Sequence, residues 1–191
     1  ITASAKSALK AESLIEETAA LIKKKAGRYI YSDSEGSIEK TVGAILKKKK
    51  LTISAAESCT GGLLTSKLTD IAGSSVYVMD SVGSYSDSAK IRLLGVKAAT
   101  IKKYGAVSEE CAIEMAKGIR QRSKTSIGIS VTGIAGPGGA RPGKPVGLVW
   151  IGYSDKKKTF ARKFVFTKDR LRNKDIMAKM ALEIVRQQLT M

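Results

Sequence analysis

Residues 51–71 read LTISAAESCTGGLLTSKLTDI, and this stretch decides the fold. Leu51 to Ala56 is a short apolar run of strand length carrying Ile53 and Ala55. A helix is predicted from Gly61 to Ile71, with Leu63, Leu64 and Leu68 at helical spacing after the Gly61-Gly62 pair. The strand-turn-helix unit is followed by more of the same kind. The pattern predicts a strand over Val76 to Val82, a helix over Asp87 to Leu94, a short helical turn over Ala98 to Lys103, and a helix from Ser108, with Glu109 and Glu110 in its first turn, to Arg122. Strands are predicted at Ile127 to Val131, Val146 to Tyr153 and Thr159 to Phe166, and a closing helix over Leu171 to Leu189. Helices set between apolar strands imply a layered α/β fold with a largely buried sheet.

Upstream, Ser37 opens a helix containing Glu39, Val42, Ile45 and Leu46. Before it, Ser7 to Lys25 carries Leu9, Leu14, Ile15, Ala19, Leu21 and Ile22 at near-helical spacing, and Arg28 to Gly36 reads as a short extended piece and a turn. The division expected is therefore an N-terminal helix and linker over 1–35 and a main domain over 36–191. The chain starts at Ile1 without an initiator Met, which suggests a processed or truncated product or residues lost upstream.

A chain of 191 residues buries roughly 70% of its unfolded surface without a disulfide or metal staple. Cys59 and Cys111 lack any metal-ligand or redox spacing, which favours a reducing, cytoplasmic setting. No apolar run reaches the ~18 residues of a membrane span, and no stretch reads as a signal peptide. Net charge is +17, with lysine runs at 23–25, 47–50 and 156–158. Such a balance suits anionic partners, although each run also sits where lysines are solvated or complement a helix end. Nucleic acid is thus a lesser candidate, and a phosphorylated small molecule needs only a few of these charges.

The chain contains no histidine. That excludes Ser-His-Asp and Cys-His catalysis and His-rich zinc sites, and leaves a carboxylate, a phenol or a lysine of lowered pKa to activate a hydroxyl. Three segments hold candidate chemistry. In Ala56-Glu57-Ser58-Cys59-Thr60-Gly61-Gly62, a nucleophile would sit exposed at a strand-to-helix turn beside N–H groups able to bind an anion or oxyanion, or Ser58 or Thr60 is an N-cap. In Ser84-Tyr85-Ser86-Asp87-Ser88-Ala89-Lys90, an N-cap at Ser86 puts Tyr85 and Lys90 side by side, with Lys90 in a helix first turn that pushes its pKa down, or the tyrosine packs on a lysine stem. In Thr132-Gly133-Ile134-Ala135-Gly136-Pro137-Gly138-Gly139, an apolar strand empties into a Gly/Pro loop of the kind that binds ligands at strand ends; a plain turn is the alternative.

These segments, with Gly105-Ala106-Val107-Ser108-Glu109-Glu110 and Lys144-Pro145-Val146-Gly147, resemble in order and in register the C-terminal domain of the CinA family, the nicotinamide-nucleotide amidohydrolase (NMN deamidase) module. The resemblance covers roughly Ser37 to Leu189, and it marks Gly27-Arg28-Tyr29-Ile30-Tyr31 as similar to the end of a preceding linker domain. It implies a three-layer α/β/α sandwich with a mostly parallel sheet and the site at the strand ends. It further implies metal-free and cofactor-free hydrolysis of the carboxamide of nicotinamide mononucleotide (NMN), or of a related small nucleotide, by a homo-oligomer, a dimer being favoured. By position Ser58 is the nucleophile, and Tyr85 with Lys90 completes a Ser-Tyr-Lys set in which Lys90 poises Tyr85 to take the Ser58 proton. Glu57, Thr60, Gly61, Gly62, Thr132, Gly133, Gly136 and Arg170 are the implied substrate-binding residues. Asp87 and Lys174 stand where relatives often carry Asn and Arg, and Arg170 follows Lys168-Asp169. Two other readings remain: an amidase or esterase for a different substrate, and an idle domain that binds nucleotide or nucleic acid.

Overall fold

Strand β1 (Ile53–Glu57) is an interior strand of a five-stranded sheet, with every one of its residues buried. The computed structural model describes residues 1–32, 36–166 and 169–190. Its two compact units are Ile1–Gly36 and Ser37–Met191. The first contains α1 (Ala8–Ala26), capped by Ser7, whose hydroxyl accepts from the Lys10 N–H. A 3₁₀ turn, Gly27–Tyr29, follows where the sequence suggested extended chain, because the Ile30 N–H closes back onto the Gly27 carbonyl. Residues 33–35 of the expected linker lie outside the described residues.

The second unit runs α2 (Ile38–Lys49), β1, α3 (Leu63–Thr69), β2 (Val78–Gly83), α4 (Asp87–Leu94), α5 (Ala98–Tyr104), α6 (Glu109–Ser123), β3 (Ile127–Gly133), β4 (Leu148–Ser154), β5 (Thr159–Val165) and α7 (Arg170–Thr190). The sheet order is β2-β1-β3-β4-β5. β1 pairs in parallel with β2 and with β3, while β4 is antiparallel to both β3 and β5. Four strands therefore point one way and β4 alone is reversed, which makes a mixed sheet of mostly codirectional strands.

Alternation along the strands divides the core. Ile53 and Ala55 of β1, Ile127, Ile129 and Val131 of β3, and Val149, Ile151 and Tyr153 of β4 pack with α2, α3 and α7. On the opposite face Ala56 packs with Val82, Leu94 and the α6 residues Cys111, Met115 and Ile119. That second face is lined by small residues so that α6 can lie with its backbone against the sheet. The Ser130 hydroxyl donates to the Ala112 carbonyl at 2.6 Å, and a Cβ on Gly128 or Gly152 would collide with the carbonyls of Ala116 and Ala112. Gly118 does the same for the end of α4, since its missing Cβ would strike the Leu94 carbonyl. Two β-strand-length faces covered by separate helix sets give the three-layer sandwich.

From β1 the chain crosses through α3 to β2 on one flank, and from β2 through α4, α5 and α6 to β3 on the other flank of β1. The carboxyl end of β1 is thus a topological switch point, where loops diverge to opposite sides and leave a crevice. Ser58 is the first residue beyond it.

Candidate active site

The main chain at Ser58 is gripped from both neighbouring strands: its N–H donates to the Val131 carbonyl at 3.0 Å, and the Ser84 N–H donates to the Glu57 carbonyl at 2.7 Å. Ser86 caps α4 as the sequence implies, its hydroxyl accepting from the Ala89 N–H at 3.1 Å. One turn in, Lys90 enters the core at 1% exposure. Its Nζ donates to Ser58 Oγ at 3.0 Å, to the Ser84 carbonyl at 2.7 Å and to the Tyr85 carbonyl at 3.4 Å. Burial pushes the Lys90 pKa below its ordinary value, against the opposing influence of Cys111, Asp87, Cys59 and Tyr85. A buried lysine of weakened basicity therefore touches the candidate nucleophile directly.

Tyr85 goes the other way. Its side chain is 70% exposed, and its hydroxyl makes no hydrogen bond among the described residues. The expected phenol-ammonium pair is replaced by a contact between Lys90 and the Tyr85 main chain, because the Ser58 hydroxyl beyond β1 and the Ser84 carbonyl beyond β2 draw the ammonium inward. Tyr85 still lines the cleft above Ser58. Cys59 also lines it, but burial pushes its thiol up to about 12 and its Sγ rests 3.6 Å from Met177 Sδ. A protonated thiol is not a nucleophile.

Glu57 does not face the cleft, which corrects its expected substrate-binding role. It is 1% exposed, and its carboxylate accepts from the N–H groups of Gly62, Leu64 and Thr65 at 2.9, 3.1 and 2.9 Å and from the Thr65 hydroxyl at 2.6 Å. Gly62, the N-cap of α3, has no side chain to offer, so Glu57 caps the helix from the strand. Gly61 and Gly62 have φ of +62° and +96°, which is why α3 begins at Leu63 and not at Gly61. Gly61 donates its N–H to the Ser58 carbonyl at 3.2 Å, so neither glycine N–H is open to a ligand. In this turn the N–H groups of Cys59 and Thr60 are both directed at the buried Cys59 sulfur and have no oxygen acceptor among the described residues. Thr60 is fully buried, and its Oγ1 has no partner among them either.

The opposite wall comes from β3 and its loop. Thr132, Gly133 and Gly136 all line the cleft, and Thr132 Oγ1 fixes the neighbouring α5–α6 loop by donating to the Ala106 carbonyl at 2.8 Å. The start of α7 holds the loop: Arg170 Nη1 donates to the Gly136 carbonyl at 2.7 Å and Asn173 Nδ2 to the Ala135 carbonyl at 3.0 Å. Arg170 lines the cleft as well, and the Lys174 Nζ would lie 3.7 Å from a Cβ on Gly61. Lys168 lies outside the described residues. The cleft has a volume of about 260 Å³. Ser84 and Asn173 are site-building residues that the sequence reading passed over. Ser84 acts through its carbonyl, which leaves no side-chain signal. Asn173 had one: it occupies the first position of the stripe Asn173, Met177, Ala181, Ile184, and an asparagine on an apolar helix face needs a buried partner.

Comparison with known proteins adds ancestry. The family model described as the CinA C-terminal domain matches residues 35–189. A CinA-like protein of Kosmotoga olearia is 48% identical over 189 residues, covering 99% of this chain and 46% of its own length. A CinA-like protein of Salinibacter ruber is 44% identical over 176 residues, covering 92% of this chain and 43% of its own. The chain thus spans less than half the length of these relatives. Among solved structures, the competence/damage inducible protein CihA of Agrobacterium tumefaciens superposes with a TM-score of 0.78 at 36% identity, covering 84% of this chain and 99% of its own. A competence-damaged protein (CinA) superfamily protein of Klebsiella pneumoniae also reaches 0.78, at 31% identity, covering 80% of this chain and 96% of its own.

Proposed function

The chain belongs to the CinA C-terminal domain family, and from that premise we propose that it is an amidohydrolase that converts the carboxamide of nicotinamide mononucleotide to the carboxylate, with release of ammonia. The observation that carries this reading is the 3.0 Å contact between the buried, weakly basic Lys90 Nζ and Ser58 Oγ. In its neutral form Lys90 offers a lone pair to the Ser58 hydroxyl, and the hydrogen bond reverses so that the serine donates. Lys90 then takes the proton as Ser58 Oγ bonds to the amide carbon. The developing oxyanion is met by the N–H groups of Cys59 and Thr60, which exchange the weak acceptor Cys59 Sγ for a charged oxygen. Lys90 returns the proton to the amide nitrogen, the C–N bond breaks, and ammonia leaves a Ser58 ester. Water attacks that ester with Lys90 again as base, restoring the hydroxyl and yielding the acid.

In this scheme Lys90 replaces Tyr85 as the immediate base. The tyrosine ring, at the mouth of the cleft, packs on the pyridine ring or orients the leaving group. The carbonyls of Ser84 and Tyr85 hold Nζ on line with Ser58 throughout.

The test is ammonia release and nicotinate mononucleotide formation from NMN without added metal, comparing the wild type with Ser58→Ala and Lys90→Met. Loss of a base or nucleophile in such a site costs ~10²–10⁴-fold or more in rate. A folded wild type that leaves NMN intact would refute the proposal, and a panel of other pyridine and nucleotide amides would then identify the substrate. Net charge of +17 favours a second reading, an anion- or nucleic-acid-binding domain. It predicts binding that weakens steeply with salt and is indifferent to Ser58→Ala.

A further inference from the structure

The cleft over Ser58 does not end at its own rim. A second hollow, also of about 260 Å³, shares with it the wall made by Asp87, Ala106, Val107, Ile134 and Gly139. Each alone is smaller than the roughly 300–1,000 Å³ of ordinary small-molecule sites, and the groove they form together reaches that range. At the far end of the second hollow stand Arg141 and Lys144.

These two cations are presented by one tight turn. The Arg141 N–H donates to the Lys144 carbonyl at 3.0 Å and the Lys144 N–H to the Arg141 carbonyl at 2.8 Å, with Gly143 at φ +73°. Lys144 is then fixed in place, its Nζ donating to the Tyr104 carbonyl at 2.6 Å across the groove. Gly105 leaves room for this approach, since a Cβ there would stand 2.9 Å from that Nζ. One of the three ammonium protons is used and two remain, so the cation is positioned in advance and still able to donate. Gly139, on the shared wall, adds a backbone N–H with no partner among the described residues.

Charge along the groove is ordered. At the Ser58 end, Lys90 is committed to the serine, and Arg170 spends Nη1 on Gly136. Asp87 stands in the middle, lining both hollows, where a carboxylate repels an anion and suits a cationic ring or sugar hydroxyls. Arg141 and Lys144 close the other end. We infer that the second hollow is an anion subsite, in which Arg141, Lys144 and the Gly139 N–H hold the phosphate of the substrate while its carboxamide lies at Ser58. This assignment rests on the amidohydrolase reading for the group at Ser58, but not for the anion itself. A phosphoryl group joined to the reacting amide through a ring and a pentose spans from one hollow to the other, with its positive ring beside Asp87.

Two measurements test it on the full chain. The first is steady-state hydrolysis of NMN and of nicotinamide riboside, which lacks the phosphate, by wild type, Arg141→Ala, Lys144→Ala and Arg170→Ala. The second is calorimetric binding of ribose 5-phosphate to the same proteins in a Ser58→Ala background, which needs no turnover. Arg141→Ala and Lys144→Ala are expected to raise KM for NMN and Kd for ribose 5-phosphate by about 10- to 100-fold each, the range of a lost hydrogen bond to a charged group. The loss is expected to be larger for NMN than for the riboside, which has no phosphate to lose. If no amide is hydrolysed but ribose 5-phosphate binding is still lost with Arg141 or Lys144, the anion subsite stands and the amidohydrolase reading falls. If ribose 5-phosphate binding survives both substitutions the inference is overturned, and its loss in Arg170→Ala would then place the phosphate beside Ser58.

Discussion

Replacing Glu57 by Gln separates a carboxylate that caps a helix from one that meets substrate. In the wild type, Oε2 accepts from Gly62 and Leu64 and Oε1 from the Thr65 N–H and hydroxyl. An amide of the same shape has one acceptor oxygen. With that oxygen toward Gly62 and Leu64, its NH₂ faces Thr65; the hydroxyl can turn to accept, but the Thr65 N–H meets another donor. One charge-assisted bond is lost, at about 1.5–3 kcal/mol, and two others fall from ionic to neutral strength. Relief of a buried charge offsets part of this, so a net loss of about 2–4 kcal/mol is expected. With an m value of about 2 kcal/mol/M, the urea midpoint falls by about 1–2 M. Because α3 carries no substrate contact of its own in this reasoning, KM for NMN changes little while kcat drops as the Ser58 turn loosens. The reasoning is refuted by an unmoved urea midpoint together with a raised KM, which would place the Glu57 carboxylate on the substrate.

Three other outcomes follow from the packing and charge of the site. Lys90→Met abolishes turnover and changes the pH dependence of stability. Burial lowers the folded pKa of Lys90 below 10.5, so the unfolded chain holds more protons in that window and the wild type gains stability relative to the variant as pH rises from the lowered value toward 10.5; a pH-independent difference in urea midpoint would contradict the burial argument. Cys59→Ala keeps its turnover, since a thiol pushed up to about 12 supplies no nucleophile at neutral pH, and a loss as deep as that of Ser58→Ala would make Cys59 the reacting group. Gly118→Ala forces α6 off the Leu94 carbonyl and destabilises by about 3 kcal/mol in urea unfolding, whereas a change below about 1 kcal/mol would show that α4 and α6 are not in backbone contact.

Periodicity along the chain was sufficient to locate the strands and helices of the main domain, because each amphipathic face must repeat at 2.0 or 3.6 residues to be covered. Its errors lie where backbone conformation, and not hydrophobicity, sets a boundary. Two left-handed glycines delay α3 to Leu63, and a 3₁₀ turn, Ser74–Val76, precedes β2, which opens at Val78. The reversal of β4 was equally hidden, since a strand buried on both faces reads the same in either direction. At the site, the absence of histidine left a carboxylate, a phenol or a lysine to activate a hydroxyl, and the resemblance to the CinA C-terminal domain singled out Ser58 with Tyr85 and Lys90. Local spacing placed Tyr85 beside Lys90 and could go no further, because it cannot represent acceptors that arrive from another strand. Only the closing of β2 and β3 around β1 brings Ser58 and the Ser84 carbonyl within reach of Lys90, and so turns the lysine inward, leaves the tyrosine at the rim, and assigns Glu57 to the helix instead of the ligand. The sequence by itself determined which residues could react. Which of them touch was decided by tertiary structure, because the hydrogen-bond partners of a buried polar group are fixed by whatever the fold packs against it.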